Sequence, residues 1–198
     1  MKRGLVIVLA LVAVMVVWAI SMQRGLVSKD EGVNKAWADV QAAYQKRLDL
    51  VDNLVEIVKA EADFESETLK EVIEARSKAF QVNIDANQLT EENIQKLQQA
   101  QSGLSGALGK LAFLTESYPN LKANESYKKL QDNLVEIENQ IKVERRNFNA
   151  AVQIYNTTVR VFPTNIMAGM MGFERKGSFS ADEGADKAPK INMKRDKN

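Results

Sequence analysis

The sequence predicts an all-helical protein: one N-terminal transmembrane helix, then an antiparallel up-and-down four-helix bundle with long helices. Three observations point there. Gly4 to Gln23 carries no charge, and Leu5 to Ile20 is almost purely apolar. Downstream, apolar residues recur at alternating spacings of three and four, the rhythm of packed helices. Only three prolines occur, and two of them lie beyond Tyr155, so long stretches are free to be helix.

The apolar segment matches the hydrocarbon core, because 20 helical residues at 1.5 Å each span about 30 Å. Trp18 sits near its far end, where interfacial aromatics are found. A cleaved signal peptide is the rival reading, with Lys2 and Arg3 as its charged start. The apolar run is too long for that, and Ala19-Ile20-Ser21 is a poor cleavage site. The anchor and a short linker are therefore placed at residues 1–27. Lys2, Arg3 and the α-amino group outweigh Arg24 and Lys29, which Asp30 and Glu31 follow. This predicts the N-terminus in the cytoplasm and the bundle on the extracytoplasmic side of the inner or plasma membrane.

The bundle is placed at residues 28–162. Ser28-Lys29-Asp30-Glu31 has the form of a capping box and predicts a helix start there. The seam of this first helix reads Val33, Trp37, Val40, Tyr44, Arg47, Val51, Leu54 and Val58. A second helix is predicted over about 65–82, with Leu69, Ile73, Arg76 and Phe80 on one stripe. A mostly polar connection over 83–89 leads to Thr90, the N-cap of a third helix. Its seam is Ile94, Leu97, Gln101, Leu104, Leu108, Leu111, Thr115 and Tyr118. Gly103, Gly106 and Gly109 interrupt it and suggest close helix contact. Tyr118-Pro119-Asn120 ends the third helix, and Asn124 caps a fourth that runs to about 161. Its seam runs from Tyr127 through Leu130, Leu134, Ile137, Ile141, Glu144, Phe148, Ala151, Tyr155 and Thr158 to Phe162, before Pro163 stops it.

Up-and-down topology returns the fourth helix toward the membrane. The hydrophobic segment 163–179 then lies near the bundle base or the bilayer surface. Met170, Met171 and Phe173 are its candidate membrane contacts, unless the segment folds under the base. Residues 180–198, charged and Gly-containing, are expected to be disordered.

Arg47, Arg76 and Glu144 occupy seam positions that call for apolar residues. Unpaired charge in a core is costly, so each must pair or reach solvent. If helices one, two and four adjoin, the three form a candidate buried polar cluster. Such a cluster would fix helix register or line a ligand site.

Composition excludes much chemistry. The chain contains no cysteine and no histidine. Disulfides, thiolate nucleophiles, iron–sulfur clusters and Glu-x-x-His di-iron sites are thereby ruled out. The commonest general base is missing too. No Asp-rich calcium loop is present, so neither a metal nor a cofactor is expected. Net charge is +1, and outside the basic groups flanking the anchor it turns slightly acidic, which argues against nucleic acid as a partner. Gly103 to Lys110 resembles a phosphate loop only loosely, since Leu111 replaces the Ser or Thr and no strand precedes it.

Certain stretches do match a known pattern. They are Val33-Asn34-Lys35-Ala36-Trp37-Ala38-Asp39-Val40, then Lys46-Arg47-Leu48-Asp49-Leu50-Val51-Asp52-Asn53-Leu54-Val55, then Ala75-Arg76. Glu116 to Asn124, Arg145-Arg146-Asn147-Phe148-Asn149, Tyr155-Asn156 and Phe162-Pro163 follow in order. With these residues the chain resembles the LemA family of bacterial membrane-anchored helical-bundle proteins. It departs from the family at Asp52, where proline is common, and at Phe148, where tyrosine is common. The resemblance implies an anchor and an antiparallel bundle. It implies no reaction, because the family has no established catalytic residues to carry over. It marks Arg47, Asn53, Arg76, Tyr118, Pro119, Asn149 and Asn156 as family-pattern residues, expected to tie the bundle together. The combined expectation is a non-enzymatic, membrane-anchored interaction or scaffold protein whose partners are other envelope proteins. The alternative is a ligand-binding or sensing module built on Arg47, Arg76 and Glu144.

Overall fold

A computed structural model of the chain describes residues 2–60 and 66–181, apart from the side chains of Lys2 and Ser66. Among the described residues no strand occurs. Six α-helices follow in order: α1 Lys2–Lys59, α2 Ser66–Gln81, α3 Glu91–Leu114, α4 Pro119–Ala123, α5 Glu125–Thr158 and α6 Thr164–Met171. Single 3-10 turns at Ala86–Gln88 and Thr115–Ser117 sit in the connections on either side of α3. Helices α1 and α5 pack along most of their shared length, α2 packs on α3, and α2 also touches α1.

The first surprise is α1, a single helix of 58 residues. The expected start at Ser28 is not there. Neither proline nor a strong breaker lies between Gln23 and Ser28, and Gly25 alone costs only about 1 kcal/mol against Ala. Leu26 extends the seam one heptad before Val33, and it is fully buried. Burial of that side chain outweighs the capping preference, so the apolar segment and the bundle share one rod. Its N-terminal part, from Leu5 to Ile20, leaves apolar side chains exposed all the way round. This stretch is long and apolar enough to cross a membrane.

Every seam residue expected on the first bundle helix is buried, from Val33 to Val58. The third-helix seam holds as well, with Leu108 and Tyr118 only partly covered. Thr90 caps α3 by accepting from the Asn93 N–H, and Asn124 caps α5 by accepting from Ser126 and Tyr127. Two faces differ from expectation. On α2 the buried stripe is Leu69, Val72 and Ala79, one position round from the expected one, and Ile73 and Phe80 are exposed. A 16-residue helix has few anchors to fix its rotation, and small Ala79 lets α2 lie close. On α5 the helix ends at Thr158, with Val159 buried as its closing residue, which leaves Phe162 exposed. The glycines of α3 do not mediate contact. A methyl group added at Gly103, Gly106 or Gly109 would meet nothing within 4 Å.

Two core clusters stack along the rod. A distal one joins Leu48–Val58 with Leu69, Val72, Leu104, Leu111, Leu121 and Tyr127. A basal one joins Leu26–Tyr44 with Ile94, Leu97, Ile137, Phe148, Tyr155, Val159 and Ala168. Helix α2 stops short of the base. There, residues 174–181 run as a non-helical strap back along the bundle, and Phe179 enters the basal core. The expectation of disorder from residue 180 onward therefore fails at Ser180, which is hydrogen bonded to Gln98. Residues 182–198 lie outside the described residues.

Candidate functional site

Arg47, Arg76 and Glu144 do not meet. Arg47 is 1% exposed, at the junction of α1, α3 and α5. Its Nη1 donates to Glu138 Oε1 at 2.5 Å and to Ser105 Oγ at 3.0 Å. Its Nη2 donates to the side-chain and backbone oxygens of Gln101. The Tyr44 ring lies 5.6 Å from the guanidinium. Arg47 therefore has its counter-ion at Glu138, two turns before Glu144 on α5. Gln101, placed on the α3 seam by spacing alone, is its second buried partner.

Arg76 belongs to another environment. Its Nη2 pairs with Asp52 Oδ2 at 2.5 Å, where the carboxylate side chain is 54% exposed. The guanidinium lies 5.4 Å from the centre of the exposed Phe80 ring. Such pairs contribute little, because solvent screens them. Arg76→Leu is expected to change stability by under about 1 kcal/mol in chemical denaturation. A loss above about 3 kcal/mol would mean a desolvated arginine. Glu144 is half-buried and accepts from Asn147 Nδ2 at 3.1 Å.

A cavity of about 410 Å³ opens beside Arg47 between α3 and α5. Gln98, Ser105, Glu138, Lys142 and Arg145 line it. Cations outnumber carboxylates on its wall by three to one. A second cavity of about 430 Å³ continues the same groove distally past Leu108, Tyr127 and Leu134. The Tyr127 hydroxyl donates to Thr115 Oγ1 at 2.8 Å and accepts from Gln131. Burial pushes its pKa up, against those two hydrogen bonds.

The densest polar constellation lies basally, in the same groove, and involves the strap. Asn149 donates through Nδ2 to Phe179 O and accepts at Oδ1 from Phe179 N–H, both at 2.9 Å. Asn156 repeats this with Lys176, at 2.8 and 2.9 Å. Gln98, from α3, does the same for Ser180, at 3.2 and 3.3 Å. Lys176 Nζ reaches Asp30 Oδ1 at 2.8 Å, and the Tyr155 hydroxyl donates to Glu174 O at 2.8 Å. Burial first, then the Asp30 and Glu174 carboxylates, push the Tyr155 pKa up to about 12, so it stays a donor. Phe179 packs between Trp37 and Phe148, with ring centres at 6.4 and 5.5 Å, and Arg145 covers its outer face at 4.8 Å.

The family-pattern residues thus divide. Asn149 and Asn156 tie the strap to α5, whereas Asn53 lies exposed on α1 and Tyr118 is half-buried at the distal turn. Sequence reasoning missed Gly177 and Phe179. The spacing of Asn149 and Asn156, one heptad apart beside Phe148 and Tyr155, was the available signal. The candidate membrane contacts divide too. Met170 is 79% exposed and Met171 borders solvent, but Phe173 is half-buried against the basal core. Among the described residues no group of three acidic side chains is placed to hold a metal ion.

Among the described residues this is a helical-bundle protein with one N-terminal segment long and apolar enough to cross a membrane. The chain belongs to the LemA family, whose model matches residues 36–193. Protein LemA of Metamycoplasma hominis is 24% identical over 164 residues, covering 83% of this chain and 71% of that one. Two magnetosome proteins of Paramagnetospirillum magneticum, MamQ 1 and MamQ 2, are each 34% identical over 87 residues. Those matches cover 44% of this chain, and the chain spans only 32% of either relative's length.

Proposed function

We propose that the chain is a non-enzymatic, single-pass membrane protein whose bundle engages other envelope proteins on the extracytoplasmic side. The observation that carries this reading is the unbroken α1. Gln23 ends the apolar segment, and Leu26 is already in the basal core. Three helical residues rise about 4.5 Å, so the base would rest against the headgroups. From Leu26 to Lys59 the rod then stands about 50 Å off the bilayer, a geometry suited to reaching partners. The names of the matching relatives describe no reaction, and the absent cysteine and histidine point the same way.

Protease treatment of intact spheroplasts tests the orientation, with digestion of the bundle expected before lysis. Photo-crosslinkers placed along the exposed face of α5, at Val135 and Val143, test the scaffold role. Adducts with a defined envelope protein at some positions and not others are expected. Adduct-free surfaces throughout, in cells where the chain is membrane-bound, would remove the role.

Lipid contact at the base belongs to the same reading. Val161, Phe162, Ile166 and Met170 are all exposed around α6, which packs against α1. In proteoliposomes, a bilayer-borne photolabel is expected to modify Ile166 or Met170 as well as the anchor. Labelling confined to residues 4–23 would rule the contact out.

The cavity beside Arg47 supports a second reading, a site for a small anion. Three cations against one carboxylate on its wall favour it. A thermal shift with small carboxylates or phosphates, lost on Lys142→Glu, would bear it out.

A further inference from the structure

The chain itself fills only the basal part of the groove between α3 and α5. There the strap is seated so closely that a Cβ on Gly177 would lie 2.6 Å from Glu91 backbone atoms, and the Gly177 N–H donates to Leu89 O at 2.7 Å. Its distal rung is Ser180, whose carbonyl accepts from Arg145 Nη2 at 3.2 Å. Beyond Arg145 the groove lies open among the described residues, as cavities of about 410 and 430 Å³. The opening follows from the packing. Helix α1 packs along α5 and α2 along α3, whereas α3 and α5 touch little.

The two cavities are unlike halves of one groove, joined where Ser105, Glu138 and Lys142 line both. Basally the wall carries Arg47, Lys142 and Arg145 against the single carboxylate of Glu138, which Arg47 already pairs. Arg47 Nε is buried without a hydrogen-bond partner, so this end still favours negative charge. Lys142 is exposed at the meeting point of the halves. Distally the wall is Leu54, Leu108, Leu111, Ala112, Leu134 and Val135, and Val135 is 64% exposed. Gly109 belongs to the same wall, and a methyl group there would meet nothing within 4 Å. Its cost to helix α3 has no packing reason, and its effect is to widen the groove. At the far end the Tyr127 hydroxyl both donates and accepts within the chain.

We propose that the open groove binds a single-chain anionic amphiphile of the fatty-carboxylate class, its head at Lys142 and its chain running distally toward Tyr127. The head position rests on the small-anion reading of the same cavity. A free inorganic anion leaves the distal half unused, and a wholly apolar occupant leaves the cations unused. An amphiphile uses both. Length agrees. From Glu138 to Tyr127 α5 rises about 16 Å, and half of the ~30 Å hydrocarbon core, the length of one acyl chain, is about 15 Å. Each cavity also falls in the size range of ligand sites, about 300–1,000 Å³. The ionised head gains charge-assisted hydrogen bonds from Lys142. Each methylene taken from water tightens binding about four-fold.

Full-length protein in proteoliposomes tests this with dodecanoate bearing a diazirine at its methyl end. Illumination is expected to label the wall between Leu108 and Ala112 or between Tyr127 and Val135, in addition to the anchor residues that any bilayer-borne probe reaches. At equal free concentration, unlabelled dodecanoate is expected to suppress the groove adduct about a hundred-fold more effectively than octanoate, four methylenes shorter. Lys142→Glu is expected to lower the adduct about ten-fold or more, and Lys142→Arg to retain it. Gly109→Phe, whose Cβ meets open space, is expected to lower it about ten-fold while the thermal midpoint of helical circular dichroism holds or rises. Absence of a groove adduct overturns the proposal. So does an adduct that dodecanol suppresses as well as dodecanoate, which would leave an apolar segment of a partner as the occupant. Inorganic phosphate reports the small-anion reading separately. A phosphate-induced thermal shift that Lys142→Glu abolishes, without a groove adduct, overturns the chain and keeps the anion site, whereas loss of both removes the two together.

Discussion

Trp37→Ala is expected to cost about 4 kcal/mol, the middle of the range for emptying a large aromatic site. Trp37 is 2% exposed and touches both Phe148 and Phe179, with ring centres 5.3 and 6.4 Å away. Cavity formation dominates the loss. The indole N–H donates to Ile84 O at 3.2 Å, but Gln41 Nε2 donates to the same oxygen. The carbonyl therefore keeps a partner, and little of the cost comes from an orphaned acceptor. Helical circular dichroism of the detergent-solubilised full chain reads the change as a midpoint lowered by about 8–16 °C. A second, local effect is expected. Without the indole the strap loses one wall of its aromatic pocket, so trypsin should cut after Arg175 or Lys176 much sooner. A cost below about 1 kcal/mol, with those bonds still protected, would mean that the aromatic cluster does not assemble as described.

The regular part of this fold was legible because it repeats. Eight seam positions from Val33 to Val58 could be read by spacing alone, since a helix buries one face and period 3.5 marks it. Caps were legible for the same local reason. Thr90 and Asn124 each satisfy amide groups within three residues. Local chemistry failed where a longer-range term opposed it. Ser28 has a capping sequence, but Leu26 continues the seam and its burial keeps the helix running. Rotation of α2 was ambiguous because both Val72/Ala79 and Ile73/Phe80 give helical spacings, and only packing against α1 and α3 selects one.

The strap was invisible for a different reason. Extended chain held by side-chain amides has no period of its own, and its rungs come from two helices far away in sequence. Gln98 and Ser180 are 82 positions apart. Phe179 stood at the edge of a charged, Gly-containing stretch, where composition suggested loss of order. Similarly, Arg47, Arg76 and Glu144 could be flagged as misplaced charges, but the partner of each depends on which helices adjoin and at what level. Glu138 flanks the seam residue Ile137, and its side chain is 33% exposed.

That asymmetry between the two ends of the Arg47–Glu138 pair shapes the last expectation. Arg47→Ala should cost about 3 kcal/mol, the low end of what breaking a buried pair removes. Three losses combine. A 1%-exposed side chain is deleted, Gln101 loses its buried donor, and Glu138 loses its cation. The third is the smallest, because water reaches the Glu138 carboxylate and screens it. Glu138→Gln alone is therefore expected to cost under about 1 kcal/mol. Arg47→Met should recover part of the loss, since it refills the volume without leaving a charge to desolvate. Gln101→Leu beside Arg47→Met should then be close to neutral, because both buried polar partners leave together. Urea denaturation of these four variants, together with Gln101→Leu alone and Arg47→Met with Glu138→Gln, separates these contributions. The informative quantity is the coupling between positions 47 and 101, expected to exceed that between 47 and 138. The reverse order would place the weight of this junction on the ion pair, and hence on α5, rather than on the hydrogen bonds that lock α1 to α3.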